Sequence, residues 1–238
     1  MRVAVMSDIH GFNLALDTVL ADLDARGPFD EIIVAGDLCE VGPAPDAVLD
    51  TLRDGQFTVL QGNTDRDIVD LARHGFGRSA LRYALAKIGP AGVEYLAALP
   101  MTRRVTPPGG VSPAGDLLAC HANPHNLNDR LDPAASDDEL RAVLGDTRAA
   151  VVAFGHIHIS YTRRLDGMEL ADVSAVGNPK DGDLRCKYGI FTWDEAAHAW
   201  RVELCKLPYP LPATAAQIRA SDLPNPERVL RKLMDASY

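Results

Sequence analysis

The sequence has few cysteines, lacks a long apolar run, and has fewer basic than acidic residues. Its four cysteines, Cys39, Cys120, Cys186 and Cys205, are scattered and form no Cys-x-x-Cys pair. This argues against a disulfide framework or a thiolate zinc site. No stretch approaches the roughly 20 apolar residues that cross a bilayer, and the N-terminus lacks a basic region followed by an apolar run. We therefore expect a cytoplasmic protein with reduced thiols and no membrane interface.

The charge balance limits the classes of partner. The chain has 24 Lys and Arg against 33 Asp and Glu, which gives a formal net charge of −9. Proteins that coat nucleic acid or anionic membranes need an extended basic face, so we expect no extended nucleic-acid interface, although a local basic pocket is compatible with this balance. With 238 residues, 47% of them hydrophobic, the composition is that of a folded globular protein. We predict one domain over residues 1–238.

The hydrophobic pattern alternates strands and helices at the N-terminus and becomes rich in strands later. Polar residues follow each of the first three strands, and such loops converge outside the carboxyl ends of strands in open α/β sheets. Residues 65–99 have helical spacing with breaks at 75–77 and 89–90, which predicts a small helical insertion. Strands are predicted at 2–6, 31–35, 57–60, 102–106, 117–120, 149–154, 160–165, 168–173, 190–193 and 200–204. Helices are predicted from a cap at Asn13 to 26, and at 45–53, 138–144 and 226–234.

Five predicted strand ends carry side chains that bind metals. A single Asp-x-His is weak evidence, because polar residues after a strand often form turns or helix caps. Five such ends, several with an adjacent glycine that lets the backbone approach, are hard to assign to structure alone. Nitrogen and oxygen ligands without thiolate favour Mn, Fe, Zn, Co or Ni over Mg. The candidate ligands are Asp8, His10, Asp37, Asn63, His121, His156 and His158.

The order and spacing of these motifs resemble the calcineurin-like metallophosphoesterase superfamily. The resemblance covers the chain from residue 1 to about residue 204, and the loops at 36–43 and 176–183 resemble the small prokaryotic phosphodiesterases of that superfamily. It implies an α/β fold, a four-layer α-β-β-α sandwich with a binuclear metal centre at one end.

The resemblance also implies two metal sites that share Asp37. A hydroxide shared by two cations about 3.5–4 Å apart would attack phosphorus in line with the leaving oxygen. The expected enzyme hydrolyses phosphodiester or phosphomonoester bonds of nucleotides or other small molecules, with diesters favoured. Its expected cofactors are two divalent transition-metal ions, manganese first. One ion would be held by Asp8, His10, Asp37 and His158, and the other by Asp37, Asn63, His121 and His156.

The third motif departs from the superfamily pattern at Thr64. Many members have a histidine there that assists the leaving group, so the proton donor is left open. Asp65 either orients a water or Asn63, or it caps the following helix. His125, four residues after His121, is a candidate catalytic residue that could supply a proton or contact substrate.

Basic residues near the C-terminus are weaker candidates for the site. Lys180 and Arg185 lie in a loop rich in Gly and Asp, where they could bind a phosphate, although exposed basic side chains are usually only solvated. Arg228, Arg231 and Lys232 form a stripe that fits a solvated face or a subunit contact. Whether the chain forms a homo-oligomer stays open.

Two other functions compete with hydrolysis of small molecules. A binding module that kept the fold and lost catalysis would fit the change at Thr64. It would have little reason to keep seven metal ligands, because unpaired buried charge costs several kcal/mol. A hydrolase of diphosphate-linked lipids or nucleotides with an amphipathic membrane-facing cap would need a basic amphipathic face, which the helical insertion lacks.

Overall fold

The computed structural model describes residues 1–237, and Tyr238, the last residue of the predicted domain, lies outside the described residues. Within residues 1–237 ten strands and seven helices form. The strands are β1 (Arg2–Met6), β2 (Glu31–Val34), β3 (Thr58–Val59), β4 (Thr102–Val105), β5 (Leu117–Cys120), β6 (Val151–Phe154), β7 (Tyr161–Leu165), β8 (Met168–Asp172), β9 (Cys186–Asp194) and β10 (Ala199–Leu207). The helices are α1 (Asn13–Arg26), α2 (Pro45–Asp54), α3 (Asn63–His74), α4 (Ser79–Ala98), α5 (Asp137–Leu144), α6 (Leu211–Ala220) and α7 (Pro226–Asp235), with a 3₁₀ turn at Pro113–Gly115.

The strands form two mixed sheets of five strands each. The first has the order β10-β9-β1-β2-β3 and the second the order β4-β5-β6-β8-β7. Parallel pairing joins β1 to β2 and β2 to β3 in the first sheet, and β5 to β6 and β6 to β8 in the second. Both sheets therefore present several carboxyl strand ends at one edge, where polar loops can meet.

Strand β1 shows how the layers arise from the sequence. Its side chains alternate between the two faces of the sheet. Val3 and Val5 belong to the core between the two sheets, whereas Ala4 and Met6 belong to the core under the helices. Both faces are buried, as the unbroken apolar run predicts, and each buried aliphatic side chain stabilises the fold by about 1.5–3 kcal/mol.

Helices cover the outer face of each sheet, which completes a four-layer arrangement. Side chains of α1, α2, α3, α4, α6 and α7 enter the core on the first sheet. On the second sheet, Leu140 and Leu144 of α5 pack against Leu118 and Phe154. The predicted α/β sandwich is confirmed.

Several boundaries differ from the sequence-based predictions. Helix α1 begins after Phe12 rather than at a side-chain cap from Asn13, whose Oδ1 instead accepts a hydrogen bond from Gln217 Nε2 at 2.8 Å. Helix α6 was not predicted, because it buries only Thr214 and Ile218, too few positions to show helical periodicity. Strands β9 and β10 are longer than predicted at both ends.

Residues 65–99 hold most of α3 and α4, which pack together beside the first sheet. Gly75 ends α3 with a left-handed conformation (φ 78°), as the predicted break requires. The break expected at 89–90 is a kink inside α4, where Gly89 has φ 61° and Pro90 follows. Among the described residues, no helix is long and apolar enough to span a bilayer.

Candidate metal centre

The loops after five strands bring the predicted ligands together. β1, β2 and β3 lead to Asp8, Asp37 and Asn63, and the second sheet contributes residues after β5 and β6. Ligand atoms of two groups lie within 4.8 Å of one another in each group, and both groups are buried. These groups are Asp8 with His10 and His158, and Asp8 with Asp37 and His121.

The carboxylate of Asp37 lies between the two halves of the cluster. Its Oδ2 is 3.6 Å from His10 Nε2, and its Oδ1 is 3.5 Å from His121 Nε2. Oδ1 also accepts a hydrogen bond from the backbone N–H of Thr64 at 2.8 Å, at the start of α3. Each oxygen of Asp37 is thus turned toward a different pair of histidines, which is the position a bridging carboxylate requires.

The hydrogen bonds of His10 and His158 determine which nitrogen of each ring faces the cluster. His10 Nδ1 is 2.9 Å from the carbonyl of Glu40, and His158 Nδ1 is bonded to the carbonyl of Asn178. A carbonyl only accepts, so each Nδ1 carries the hydrogen and each neutral ring keeps a lone pair on Nε2. The two Nε2 atoms are 3.2 Å apart. Facing lone pairs repel unless a cation lies between them.

His121 and His156 form a second pair of the same kind. His121 Nδ1 is 2.9 Å from the Ala35 carbonyl, and His156 Nε2 is 3.0 Å from the Asn128 carbonyl. The remaining nitrogens, His121 Nε2 and His156 Nδ1, face each other at 3.2 Å, and the Asn63 oxygen is 2.9 Å from His121 Nε2. Two nitrogens bound to one cation at about 2.1 Å lie about 3.0–3.4 Å apart, so this spacing fits a metal ion.

The buried Oδ1 of Asp8 faces the first pair of histidines. Oδ2 accepts the backbone N–H of His156 at 2.8 Å, whereas Oδ1 lies 3.0 Å from His158 Nε2 and 3.5 Å from His10 Nε2 and accepts no well-aligned hydrogen bond within residues 1–237. Burial opposes ionisation of Asp8, but His158, His10 and His121 outweigh it and hold its pKa well below the ordinary value. The donor set of carboxylate oxygens, an amide oxygen and imidazole nitrogens therefore fits divalent metal ions.

A proton competes with a cation for this cluster. Burial opposes charge on His10, but its contact with Asp8 and the nearby Asp37 raise its pKa to about 9. His156 has the opposite shift, since burial and the neighbouring His121 lower its pKa. A metal ion at the first pair of histidines would displace the proton that His10 otherwise holds.

The ligand loops adopt strained backbone conformations that the fold holds in place. Positive φ is uncommon outside glycine and costs of order 1 kcal/mol per residue. Hydrogen bonds between adjacent loops maintain these conformations, including Asp8 N to Gly36 O at 3.0 Å and His10 N to Asp37 O at 2.9 Å. Five of the predicted ligands have φ between 54° and 71°, namely Asp8, His10, Asp37, His156 and His158.

Two glycines let the carboxylates approach the backbone. A Cβ atom on Gly62 would lie 2.2 Å from Asp37 Oδ1, and one on Gly155 would lie 2.2 Å from Asp8 Oδ2. Real Cβ atoms essentially never show contacts under 3.0 Å. Any larger side chain at either position would displace a predicted metal ligand.

Asp65 positions the loop that carries Asp37. Its carboxylate accepts backbone N–H groups of Asp37 at 2.8 Å, Leu38 at 2.9 Å and Gly62 at 2.9 Å. Gly62, rather than Asp65 as one sequence interpretation expected, is the N-cap residue of α3, and Asp65 accepts its N–H from the third position of the helix. The other two contacts reach across to the loop after β2. Burial and the nearby Asp37 raise the pKa of Asp65 to about 7.

The neighbouring Thr64 is also buried, and its hydroxyl has no hydrogen-bond partner within the described chain.

The side chains of His125 and Arg185 contact residues outside the predicted set of metal ligands. His125 is exposed, and its Nε2 lies 2.8 Å from the Leu144 carbonyl and 3.1 Å from the Thr147 hydroxyl at the end of α5. Arg185 pairs with Asp183 at 2.7 Å. These contacts give no support to the predicted proton-donor role of His125 or the predicted phosphate contact of Arg185.

Lys180 lies closer to the predicted ligands. Its backbone N–H donates to the carbonyl of His158 at 3.2 Å, and its ammonium donates to the Ser237 carbonyl at 2.8 Å. Lys180 also lines a cavity with Asn178, whose carbonyl holds His158. Of the two predicted substrate-binding residues, Lys180 is the one that adjoins the cluster.

Sequence reasoning missed the pair formed by Glu40 and Arg78. Glu40 is buried, and both of its oxygens accept hydrogen bonds from the Arg78 guanidinium. The backbone carbonyl of Glu40 accepts a hydrogen bond from His10 Nδ1, so the ion pair with Arg78 stabilises the segment that orients this histidine. The one signal in the sequence is a charged residue inside an otherwise apolar loop, and its partner is 38 residues away.

Comparisons with known proteins agree with this geometry. Residues 1–196 match the model of the calcineurin-like phosphoesterase superfamily domain. An uncharacterized protein of Methanocaldococcus jannaschii is 25% identical over an alignment 243 residues long, which covers 93% of this chain and 93% of the relative.

Solved structures share the fold over the whole chain. A metallophosphoesterase from Sphaerobacter thermophilus aligns with a TM-score of 0.79 at 23% identity and covers 99% of this chain and 100% of its own. The hypothetical protein PH1004 from Pyrococcus horikoshii aligns with a TM-score of 0.81 at 17% identity and covers 99% of this chain and 98% of its own. The superfamily match spans most of the chain, and the buried Asp and His cluster is compatible with metal. The chain therefore belongs to the calcineurin-like phosphoesterase superfamily.

Proposed function

We propose that this protein hydrolyses phosphodiester bonds of small molecules, nucleotides among them, with two divalent transition-metal ions, manganese foremost. The observation that carries the proposal is the paired arrangement of four imidazoles around one carboxylate. Each pair of facing nitrogens is 3.2 Å apart, and the two oxygens of Asp37 are turned to different pairs. When bound, the two ions would activate water for attack on phosphorus and neutralise charge on the phosphoryl oxygens.

The side chains of the protein orient and hold this centre. The carbonyls of Glu40 and Ala35 fix the tautomers of His10 and His121, so that Nε2 of each ring is free to bind metal. Asp37 supplies the negative charge between the two halves of the cluster. The part of the site after Asn63 offers no imidazole, since the next residue is Thr64. We therefore assign the leaving-group proton to water rather than to a side chain at this position.

Metal-reconstituted protein assayed with p-nitrophenyl phosphate and bis-p-nitrophenyl phosphate tests the proposal. We expect the diester to be cleaved with the higher kcat/KM, and elemental analysis to give two metal ions per chain. One ion or none at saturation, with the seven ligands intact, would contradict the binuclear centre. Full metal loading without hydrolysis of either ester would instead indicate a binding module.

The substitution Asp37→Asn separates the bridging role from a general effect on folding. Loss of the charge leaves two cations with less compensation, so we expect kcat/KM to fall by at least about 10²-fold and metal content to drop. His125→Ala is the control, because that imidazole contacts Leu144 and Thr147 at α5. Equal losses in both variants would mean that the roles are misassigned.

A further inference from the structure

A basic cavity adjoins the metal cluster. It has a volume of about 440 Å³ and lies between the loop after β2, the start of α4, the segment 178–180 and helix α7. Its charged lining residues are Arg78, Lys180, Arg228 and Lys232, and Val41 and Asn178 complete the side toward the cluster. The chain as a whole has a net charge of −9, so a cavity lined by four basic side chains has the opposite charge to the rest of the protein.

Carboxylates within the described chain neutralise only part of this charge. The Arg78 guanidinium is paired with Glu40. Lys180, Arg228 and Lys232 form no ion pair with a carboxylate among residues 1–237. Lys180 is half-buried and lines the cavity together with Lys232, so an anion in the cavity would offset the repulsion between the two ammonium groups.

The cavity and the metal cluster share a wall. The carbonyl of Asn178, which lines the cavity, holds His158, and the N–H of Lys180 donates to the carbonyl of His158. On the other side, Val41 follows Glu40, whose carbonyl holds His10. A group in the cavity therefore lies next to the two segments, 40–41 and 178–180, whose carbonyls accept hydrogen bonds from His10 and His158.

We propose that this cavity binds a further phosphate of the substrate, so that the enzyme acts on small molecules with a polyphosphate chain, such as nucleoside or dinucleoside polyphosphates. The bond broken in such a chain is a phosphoanhydride P–O–P bond: a water oxygen bonds to one phosphorus and releases its proton to solvent, and the departing phosphate keeps the bridging oxygen and leaves as an anion, which needs no side-chain acid. This inference rests on the proposed function. A phosphate offers several anionic oxygens to lysine and arginine, and charge-assisted hydrogen bonds of this kind are the strong ones. Arg228 and Lys232 are on α7, beyond residue 196 where the superfamily match ends. The selectivity would therefore come in part from a helix outside the residues that match the superfamily model.

Binding to metal-free protein tests the cavity without catalysis. Inorganic tripolyphosphate is titrated calorimetrically into chelator-treated protein and into the double variant Arg228→Ala/Lys232→Ala. Two lost charge contacts at about tenfold each predict a dissociation constant about 100-fold higher in the double variant. Arg231→Ala is the control, because Arg231 is an exposed cation on the same helix that does not line the cavity. An equal affinity in the double variant and the wild type would overturn the proposal.

Kinetics with loaded enzyme then assigns the anion to the substrate. The measured quantity is the ratio of kcat/KM for a dinucleoside tetraphosphate to that for bis-p-nitrophenyl phosphate. We expect this ratio to fall at least about tenfold in the double variant and to stay unchanged in Arg231→Ala. An unchanged ratio despite lost tripolyphosphate binding would overturn the substrate assignment. If wild-type enzyme cleaves neither compound, the proposed hydrolysis fails, and the titration still reports separately on the anion site.

Discussion

The substitution Asp65→Asn tests whether a residue outside the metal cluster sets its affinity. The carboxylate of Asp65 accepts three backbone N–H groups, two of them from Asp37 and Leu38. Asparagine has the same shape but only one acceptor oxygen. Its NH₂ group takes the place of the other oxygen and cannot accept the backbone N–H groups that this oxygen bound. At least one hydrogen bond is lost, and above the Asp65 pKa of about 7, where the carboxylate is ionised, that bond is charge-assisted and its loss costs about 1.5–3 kcal/mol. If this loss falls on the metal-binding conformation of the loop, metal affinity falls by about 10–100-fold, the size found for outer partners of metal ligands.

The assay is a competition titration of Mn²⁺ against a fluorescent chelator, with the midpoint of thermal unfolding measured on metal-free protein. Asp67→Asn is the matched control, because Asp67 is on the same helix, is partly exposed and pairs with the adjacent Arg66 at 2.7 Å. We expect the control to keep the wild-type affinity. An affinity of Asp65→Asn within about twofold of the wild type would refute the reasoning, since the loop would then hold Asp37 without this carboxylate. An equal loss in both variants would indicate a general charge effect instead.

Three further predictions follow from the same site. Because Thr64 replaces an imidazole, log kcat/KM for substituted phenyl diesters should fall steeply as the leaving-group pKa rises, and a flat slope with rate-limiting chemistry would reveal another acid. Gly155→Ala would place Cβ 2.2 Å from Asp8 Oδ2, so bound metal per chain should drop, whereas Gly115→Ala, with nothing within 4 Å, should keep full loading. The raised pKa of His10, about 9, stabilises metal-free protein below pH 6.5, and this stability is lost as the pH rises to 9. Denaturant unfolding of chelator-treated protein should show a loss of about 3 kcal/mol over that range, and a flat profile would contradict the assignment.

The fold was predictable where one residue pattern determines one element. The apolar run of β1 predicts a strand buried on both faces, and Val3 and Met6 do face two different cores. Prediction failed where packing rather than pattern determines the element. Lys187 is fully buried in β9, and its ammonium is bonded to Asp181 at 2.9 Å. A prediction based on hydrophobicity excludes this charged residue and therefore makes the strand too short. Single-sequence reasoning does not include that partner.

The same distinction separates the metal ligands from the residues around them. The ligands follow strand ends, and parallel strands bring such ends together, so topology alone predicts that Asp8 and Asp37 meet. Asp65, by contrast, acts on Asp37 through hydrogen bonds 28 residues apart, and no local pattern distinguishes these from an ordinary helix cap. The role predicted for His125 came from closeness in sequence to His121 and stays a prediction, since the contact that the structure shows is the one with the Leu144 carbonyl. Position relative to a strand end is therefore a better guide to this site than distance along the chain.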